Sequence, residues 1–207
     1  MNFTAGILAL LLPGAGHLYL RQTRRGVLAG VGVLGLFLGG LLIGGIDVVD
    51  RKEDRWWFLG QALVGPLTFA VDYYHQNMLK AYPLDPAEVA SGRVRADRLA
   101  QLSRRTLMPG EKRVVKQVQI FTPTRETDAQ GHPTERLAPG RSVKIAYAAP
   151  AGAGEGPPNT KSIGRMNELG MLSVTIAGML NFIVILDALF PTLLPPSGSV
   201  RPAGGRP

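Results

Sequence analysis

Residues 26–46 read GVLAGVGVLGLFLGGLLIGGI, 21 residues without one charged side chain. A bilayer core of about 30 Å needs about 20 apolar residues at the helical rise, so a run of this kind reads as a membrane-crossing helix. Two more stretches follow the same logic. Residues 56–71 are apolar and lead into Asp72-Tyr73-Tyr74-His75. The pairs Trp56-Trp57 and Tyr73-Tyr74 bracket that stretch, as amphipathic rings do at the two interfaces of a membrane. Residues 169–190 read LGMLSVTIAGMLNFIVILDALF and stop at Pro191. The first 20 residues are a harder case: residues 2–20 are apolar but carry Pro13-Gly14 at their middle and His17 near their end. Proline removes a helical hydrogen bond that a neighbour must replace in lipid, so a kinked span and a re-entrant or interfacial segment both fit. A cleaved signal peptide fits less well, because there is no positive n-region and Pro13 disrupts the small-residue cleavage pattern.

The expected fold is therefore mainly α: a helical integral membrane protein with four transmembrane helices, or three if residues 2–20 do not cross. A small α+β insertion faces the cytoplasm. The expected organisation is an N-terminal membrane region at 1–75, with spans near 3–20, 26–46 and 56–74. A basic cytoplasmic domain at 76–168, a C-terminal transmembrane helix at 169–190 and a disordered Pro/Gly-rich tail at 191–207 complete it. Loop charges set the orientation. Arg21, Arg24 and Arg25 lie between the first two segments, and residues 75–168 hold 15 Lys and Arg against 9 Asp and Glu, a net +6. The positive-inside rule puts Arg21–Arg25 in the cytoplasm, and alternation then puts 47–55 outside and 75–168 inside. The location implied is a cell inner membrane, crossed several times.

Within the polar block, residues 88–108 space Val94, Leu99, Leu102 and Leu107 at roughly helical intervals between arginines. That predicts a basic amphipathic helix, lying either on an anionic leaflet or on its own domain. Residues 113–121 (RVVKQVQIF) and 141–149 (RSVKIAYAA) alternate apolar and polar side chains and predict two half-buried strands, with a turn candidate at 128–131. A two-stranded hairpin alone is marginal in water, so it must pack on a helix, the membrane or a partner. Residues 148–158 (AAPAGAGEGPP) read as a flexible linker.

Chemistry-bearing patterns are sparse. The chain of 207 residues has no Cys, which excludes a disulfide scaffold, a thiol nucleophile and thiolate zinc sites. His17, His75 and His132 are far apart in no ligand-spaced pattern, and there is no HExxH, EF-hand, phosphate-cradling Gly loop or GxSxG. No cofactor, no metal and no enzymatic activity are expected. Gly26/Gly30, Gly35/Gly39 and Gly40/Gly44 form three small-xxx-small pairs in one span, the arrangement that lets helix backbones approach closely. Asn181 near the centre of the last span is expected to bond another helix. His17 and Arg21 on one segment and Asp72 and His75 on another fall on the same side in this topology, so either Asp72 pairs with His17 or Arg21 across the helix ends or all four sit in the headgroup region and contact water.

The segment Pro13-Gly14-Ala15-Gly16-His17-Leu18-Tyr19, followed by a basic run and Gly26, resembles the opening of the TM-two (two-transmembrane-helix) domain, with Arg21 standing where that domain usually has Gly. Ala177-Gly178-Met179-Leu180-Asn181-Phe182 and Ile185-Leu186-Asp187-Ala188 are similar to the last span of an uncharacterised bacterial family sharing the Pro-Gly-x-Gly-His opening. The resemblance implies a multi-span inner-membrane protein and no particular reaction.

The function expected is that of a non-enzymatic scaffold or assembly factor whose basic cytoplasmic domain contacts lipid headgroups or a protein partner. The alternative is an oligomeric small transporter or channel subunit, built by packing the Gly-rich span around a pore. Partners expected are membrane lipids and either further copies of the chain or another membrane protein. Nucleic acid is not expected, since topology explains the same basic charge.

Overall fold

A computed structural model describes residues 1–127, 133–155 and 165–191. The turn candidate at 128–131 and the tail beyond 191 lie outside these residues. The chain is mainly helical with one small sheet, and it divides into a helical body and a polar head.

Two long helices form the frame of the body: α3, Thr23–Gly44, and α8, Arg165–Leu189. Both are long and apolar enough to cross a membrane, and only 22% of the apolar stretch of α3 and 33% of that of α8 is buried. Leu28, Val31, Leu42, Met179, Phe182 and Ile183 are all exposed. A soluble core helix would bury such a face. The two helices run antiparallel: Arg25 reaches Asp187 at one end, and Gly44 lies on Met166 and Gly170 at the other. Their core gathers Val33, Phe37, Val174 and Ala177 with Phe58 and Val64.

Neither of the other two apolar stretches forms one continuous long helix. Residues 2–20 form α1, Phe3–Leu11, and α2, Ala15–Tyr19, broken at Gly14 with φ 84°. The Asn2 N–H donates to the Leu189 carbonyl at 2.9 Å, and His17 Nε2 meets Asp187 Oδ2 at 2.8 Å. Both arms of this hairpin thus return to the same end of α8. Residues 56–74, expected as a span, form α4, Arg55–Gln61, a 3₁₀ turn at Ala62–Val64, and α5, Pro66–Tyr74, broken at Gly65 with φ 106°. The Asp54 N–H donates to the Asp50 carbonyl, and the Arg51 N–H to Asp72 Oδ1, both at 3.0 Å. This segment also returns to where it began. A helix of 7 residues and one of 9 extend only about 10 and 13 Å, between a third and a half of a bilayer core each. Hydropathy does not separate the two arms; Gly65, with φ 106°, and Pro66 at the tip fold them back.

The hairpins come from opposite ends of the frame and touch tip to tip. A side chain at Gly65 would collide with the Leu10 carbonyl. Asn181 Nδ2 donates to the Ala9 carbonyl of the first hairpin at 3.3 Å and to the Leu63 carbonyl of the second at 2.8 Å. The chain therefore passes twice through the same order, hairpin then long helix, the second time in the opposite direction and with the head inserted between them.

The head follows a π-helical turn, His75–Leu79. It contains α6, Pro86–Ala90, β1, Arg93–Arg95, α7, Ala96–Gln101, β2, Glu111–Thr127, and β3, Pro133–Pro150. The sheet order is β1-β2-β3, with β1 parallel and β3 antiparallel to β2. The continuous helix expected over 88–108 is interrupted: Ser91-Gly92 ends α6, and Arg93–Arg95 pairs with Gln119–Phe121. The helical spacing of Val94 served a strand instead, where it is buried with Leu84, Val89, Val118 and Ile145. Burial of each such side chain stabilises by about 1.5–3 kcal/mol, so five of them make a small core that depends on its attachment to the body.

Candidate functional site

The head meets the body through polar groups that are unusually well buried. The loop after α3 contributes Asp47 and Asp50, the end of α5 contributes Asp72, the π turn contributes His75 and Gln76, and Lys80 follows it. All six side chains are buried. The local reason is geometric. Gly45, with φ 80°, ends α3 and turns the chain into a 3₁₀ turn, Ile46–Val48, which carries Asp47 and Asp50 back over the end of the body. The π turn widens the end of the second hairpin so that His75, Gln76 and Lys80 all face that loop.

Asp50 sits at the centre. Its Oδ1 accepts from the Lys52 and Glu53 N–H groups, at 2.8 and 3.2 Å, and from Gln76 Nε2 at 2.7 Å. Its Oδ2 faces the Lys80 ammonium, which also binds Glu53 Oε1 at 2.7 Å. Burial by itself pushes the Asp50 carboxyl up, but the Lys80 bond and the two backbone N–H bonds hold it below the usual carboxylate range. Burial likewise pulls Lys80 down, and its bonds to Asp50 and Glu53 raise it above the usual lysine value. Asp72 accepts from the Arg51 N–H at 3.0 Å and from Gln76 Nε2 at 3.3 Å, with the Arg51 guanidinium 3.7 Å away.

His75 joins this cluster to the head. Its Nε2 lies 3.4 Å from Asp47 Oδ1, and its Nδ1 lies 3.3 Å from the Val49 carbonyl and 3.8 Å from Asp50 Oδ2. Thr106, on the head, donates to Asp47 Oδ1 at 2.7 Å and lies 3.4 Å from His75 Nε2. Two head arginines add to the seam: Arg113 donates to the Asn77 carbonyl at 2.9 Å and Arg104 to the Gln76 carbonyl at 3.4 Å. Carbonyls at a helix end lack intrahelical donors, so these arginines satisfy groups the π turn leaves open. Nearby, Arg105 forms a two-pronged pair with Glu111 at 2.6 and 2.7 Å; the paired bonds raise Arg105 and lower Glu111.

Asp47, Asp50 and His75 can each present one ligand atom within 4.8 Å of the others. Asp50, however, already has three donors on one oxygen and an ammonium on the other, so a metal ion would have to displace Lys80. The arrangement acts as an ion-pair latch between body and head.

The residues singled out from the sequence fall in several places. His17 pairs with Asp187, with Arg25 3.8 Å from the same carboxylate. Arg21 occupies the turn between α2 and α3, with φ 60°. Asp72 lies at the other end of α3, a helix of 22 residues and so about 33 Å long. The expected pairing of Asp72 with His17 or Arg21 is therefore not made. The reason is that 56–74 folds back and leaves its end with Asp50, not with His17. Gly26 and Gly30 pack on the Pro13-Gly14 backbone; Gly40 and Gly44 pack on Gly170, whose added Cβ would come 2.7 Å from the Gly40 carbonyl. Gly35 and Gly39 have nothing within 4 Å and face outward. Asp47, Asp50, Gln76, Lys80 and Thr106 were not anticipated. The available signal was the four acidic residues Asp47, Asp50, Glu53 and Asp54 in the short loop 47–55, directly after an apolar run.

A model of a family of unknown function (DUF6677) matches residues 4–199, and the chain belongs to that family. No curated protein and no solved structure matches it.

Proposed function

We propose that the chain is a multi-pass integral membrane protein of the cell inner membrane. It works without catalysis as a scaffold or assembly factor, presenting its basic head to lipid headgroups or to a protein partner at the cytoplasmic surface. The buried latch carries this reading: a head held by Asp50–Lys80, His75–Asp47–Thr106 and Arg113 has one orientation relative to the bilayer, which is what a presenting surface needs. The open apolar faces of α3 and α8 support the membrane part. Crosslinking in intact cells followed by purification is expected to recover a repeatable partner or a homo-oligomer; a clean monomer would overturn the scaffold reading.

The fold-back of both hairpins changes the orientation argument. Arg21–Arg25 and the head lie at opposite ends of α3, so only one of these basic groups can obey the positive-inside rule. The head, with its net +6 over 75–168, is the one assigned to the cytoplasm here. Because the native chain has no Cys, single cysteines report this directly. Cysteine at Asn2 and at Gln22 is expected to react with an impermeant reagent on intact cells, while cysteine at Lys52 and Ser91 stays protected. Protection at Gln22 and Ser91 with labelling at Asn2 and Lys52 would restore a four-span topology, whereas labelling at both Lys52 and Ser91 would put the head outside.

One observation favours a second reading, an oligomeric transporter or channel subunit. Broken helices entering from opposite ends and meeting at a buried Asn181 resemble the way some carriers build a midplane site. Liposome flux at background for ions and small solutes would remove it.

A further inference from the structure

Where α4 and α8 begin, beside the latch, a cavity of about 810 Å³ opens between them. Its polar wall holds Asp54, Trp57, Arg165, Asn167 and Glu168, and its apolar wall holds Leu172. One cation and two carboxylates stand around one space. Among the described residues the buried Asn167 Oδ1 has no hydrogen-bond partner, an acceptor open to a donor. Below the cavity the exposed side chains Leu172, Ile176, Met179 and Ile183 continue along α8 as an apolar track. Trp56 and Trp57 are exposed at the same level, where indole rings mark a membrane interface.

We propose that this cavity binds the headgroup of phosphatidylethanolamine. The inference rests on the membrane reading above and names the lipid. The phosphate meets Arg165, which offers several N–H donors to it. The primary ammonium meets Glu168 and Asn167 Oδ1, with the Trp57 ring supplying further attraction for a cation. The acyl chains lie along the α8 track. Chemistry separates this lipid from its neighbours: phosphatidylcholine has no ammonium N–H to give Asn167 or Glu168, and phosphatidylglycerol has no cation to set against Glu168.

The test is lipid competition on the full chain. Purified protein is exchanged into nanodiscs made from equal parts of phosphatidylethanolamine, phosphatidylcholine and phosphatidylglycerol. Lipid retained after gentle delipidation is then counted by native mass spectrometry. The expected result is about tenfold enrichment of phosphatidylethanolamine over each of the others, the size of one or two charge-assisted hydrogen bonds. Glu168→Gln is expected to remove most of that preference with the thermal midpoint unchanged, and Arg165→Met to reduce retention of all three lipids. Equal retention of phosphatidylethanolamine and phosphatidylcholine, a preference for phosphatidylglycerol, or a preference unaffected by Glu168→Gln overturns the proposal. If Glu168→Gln does not fold, the wild-type ratio of the two zwitterionic lipids decides by itself. Extraction of the chain from membranes by alkaline carbonate would instead defeat the membrane reading, whereas equal lipid retention by a carbonate-resistant protein defeats only the headgroup assignment.

Discussion

The two hairpins are alike in plan and unlike in how they are fastened. Each carries a histidine on its returning arm, and each histidine meets an aspartate at the far end of the other half's long helix: His17 with Asp187, His75 with Asp47. Among the described residues, the first hairpin adds to that pair Arg25, at 3.8 Å, and the Asn2 N–H bond to Leu189. The second adds Asp50, Asp72, Gln76, Lys80 and the head's Thr106, all drawn into one buried network. The end bearing the head must hold a polar domain at a fixed angle, and it does so with charges removed from water, where a missing partner is costly.

The contrast breaks most clearly at Lys80. Lys80→Met leaves Asp50 buried without its cation and is expected to cost about 3–5 kcal/mol, read as a large fall in thermal midpoint in detergent. Adding Asp50→Asn should recover part of that loss; a midpoint lowered further by the second change would show that the pair is not one unit. The same latch should show in pH. The folded Asp50 carboxyl lies below its ordinary value of 3.8. Its contribution is thus present above that value and is lost as pH falls through the depressed one. Lys80 lies above its ordinary 10.5, so its contribution is complete below 10.5 and is lost as pH rises through the raised value. The stability difference between wild type and Lys80→Met should be flat across neutral pH and shrink at both extremes.

Next in size are the crossing glycines. Gly40→Leu and Gly44→Leu drive a side chain into the α8 backbone and should cost about 1–3 kcal/mol or more, while Gly35→Leu and Gly39→Leu in the same helix should cost little. Equal effects at all four positions would contradict the packed face. Asn181→Leu removes the donor to both hairpin tips and is expected to cost about 1 kcal/mol, close to other polar contacts between membrane helices. Smallest is Asp187→Asn at the first hairpin. Its side chain is 39% exposed, so the change should cost less than about 1 kcal/mol and depend on salt. A loss there as large as that of Lys80→Met would erase the distinction between the two ends.

Much of the body is readable along the chain. An uncharged run of 21 residues has no stable place except a helix with an apolar environment, and α3 occupies it. The alternation in 113–121 and 141–149 marks the paired strands, since a half-buried strand must alternate. The helix expected over 88–108 shows the limit of such reading: Val94, Leu99 and Leu102 are spaced to suit a helix, yet Val94 sits in a strand because β2 offers it a pairing edge. The 56–74 segment shows the same limit. Its hydropathy matches a span, and only Gly65-Pro66 hints at a reversal.

What the sequence by itself determined is local: which segments avoid water, which alternate, where glycine and proline interrupt, and that thiol chemistry is absent. These follow from side-chain chemistry and backbone freedom within a few residues. The tertiary structure decided whether an apolar segment runs on as one helix or folds back, and which charges share a site. Asp47 and Thr106 are 59 positions apart, and His17 and Asp187 are 170 apart. Such pairs are set by how the hairpins seat between α3 and α8, and no periodicity in the chain records that seating.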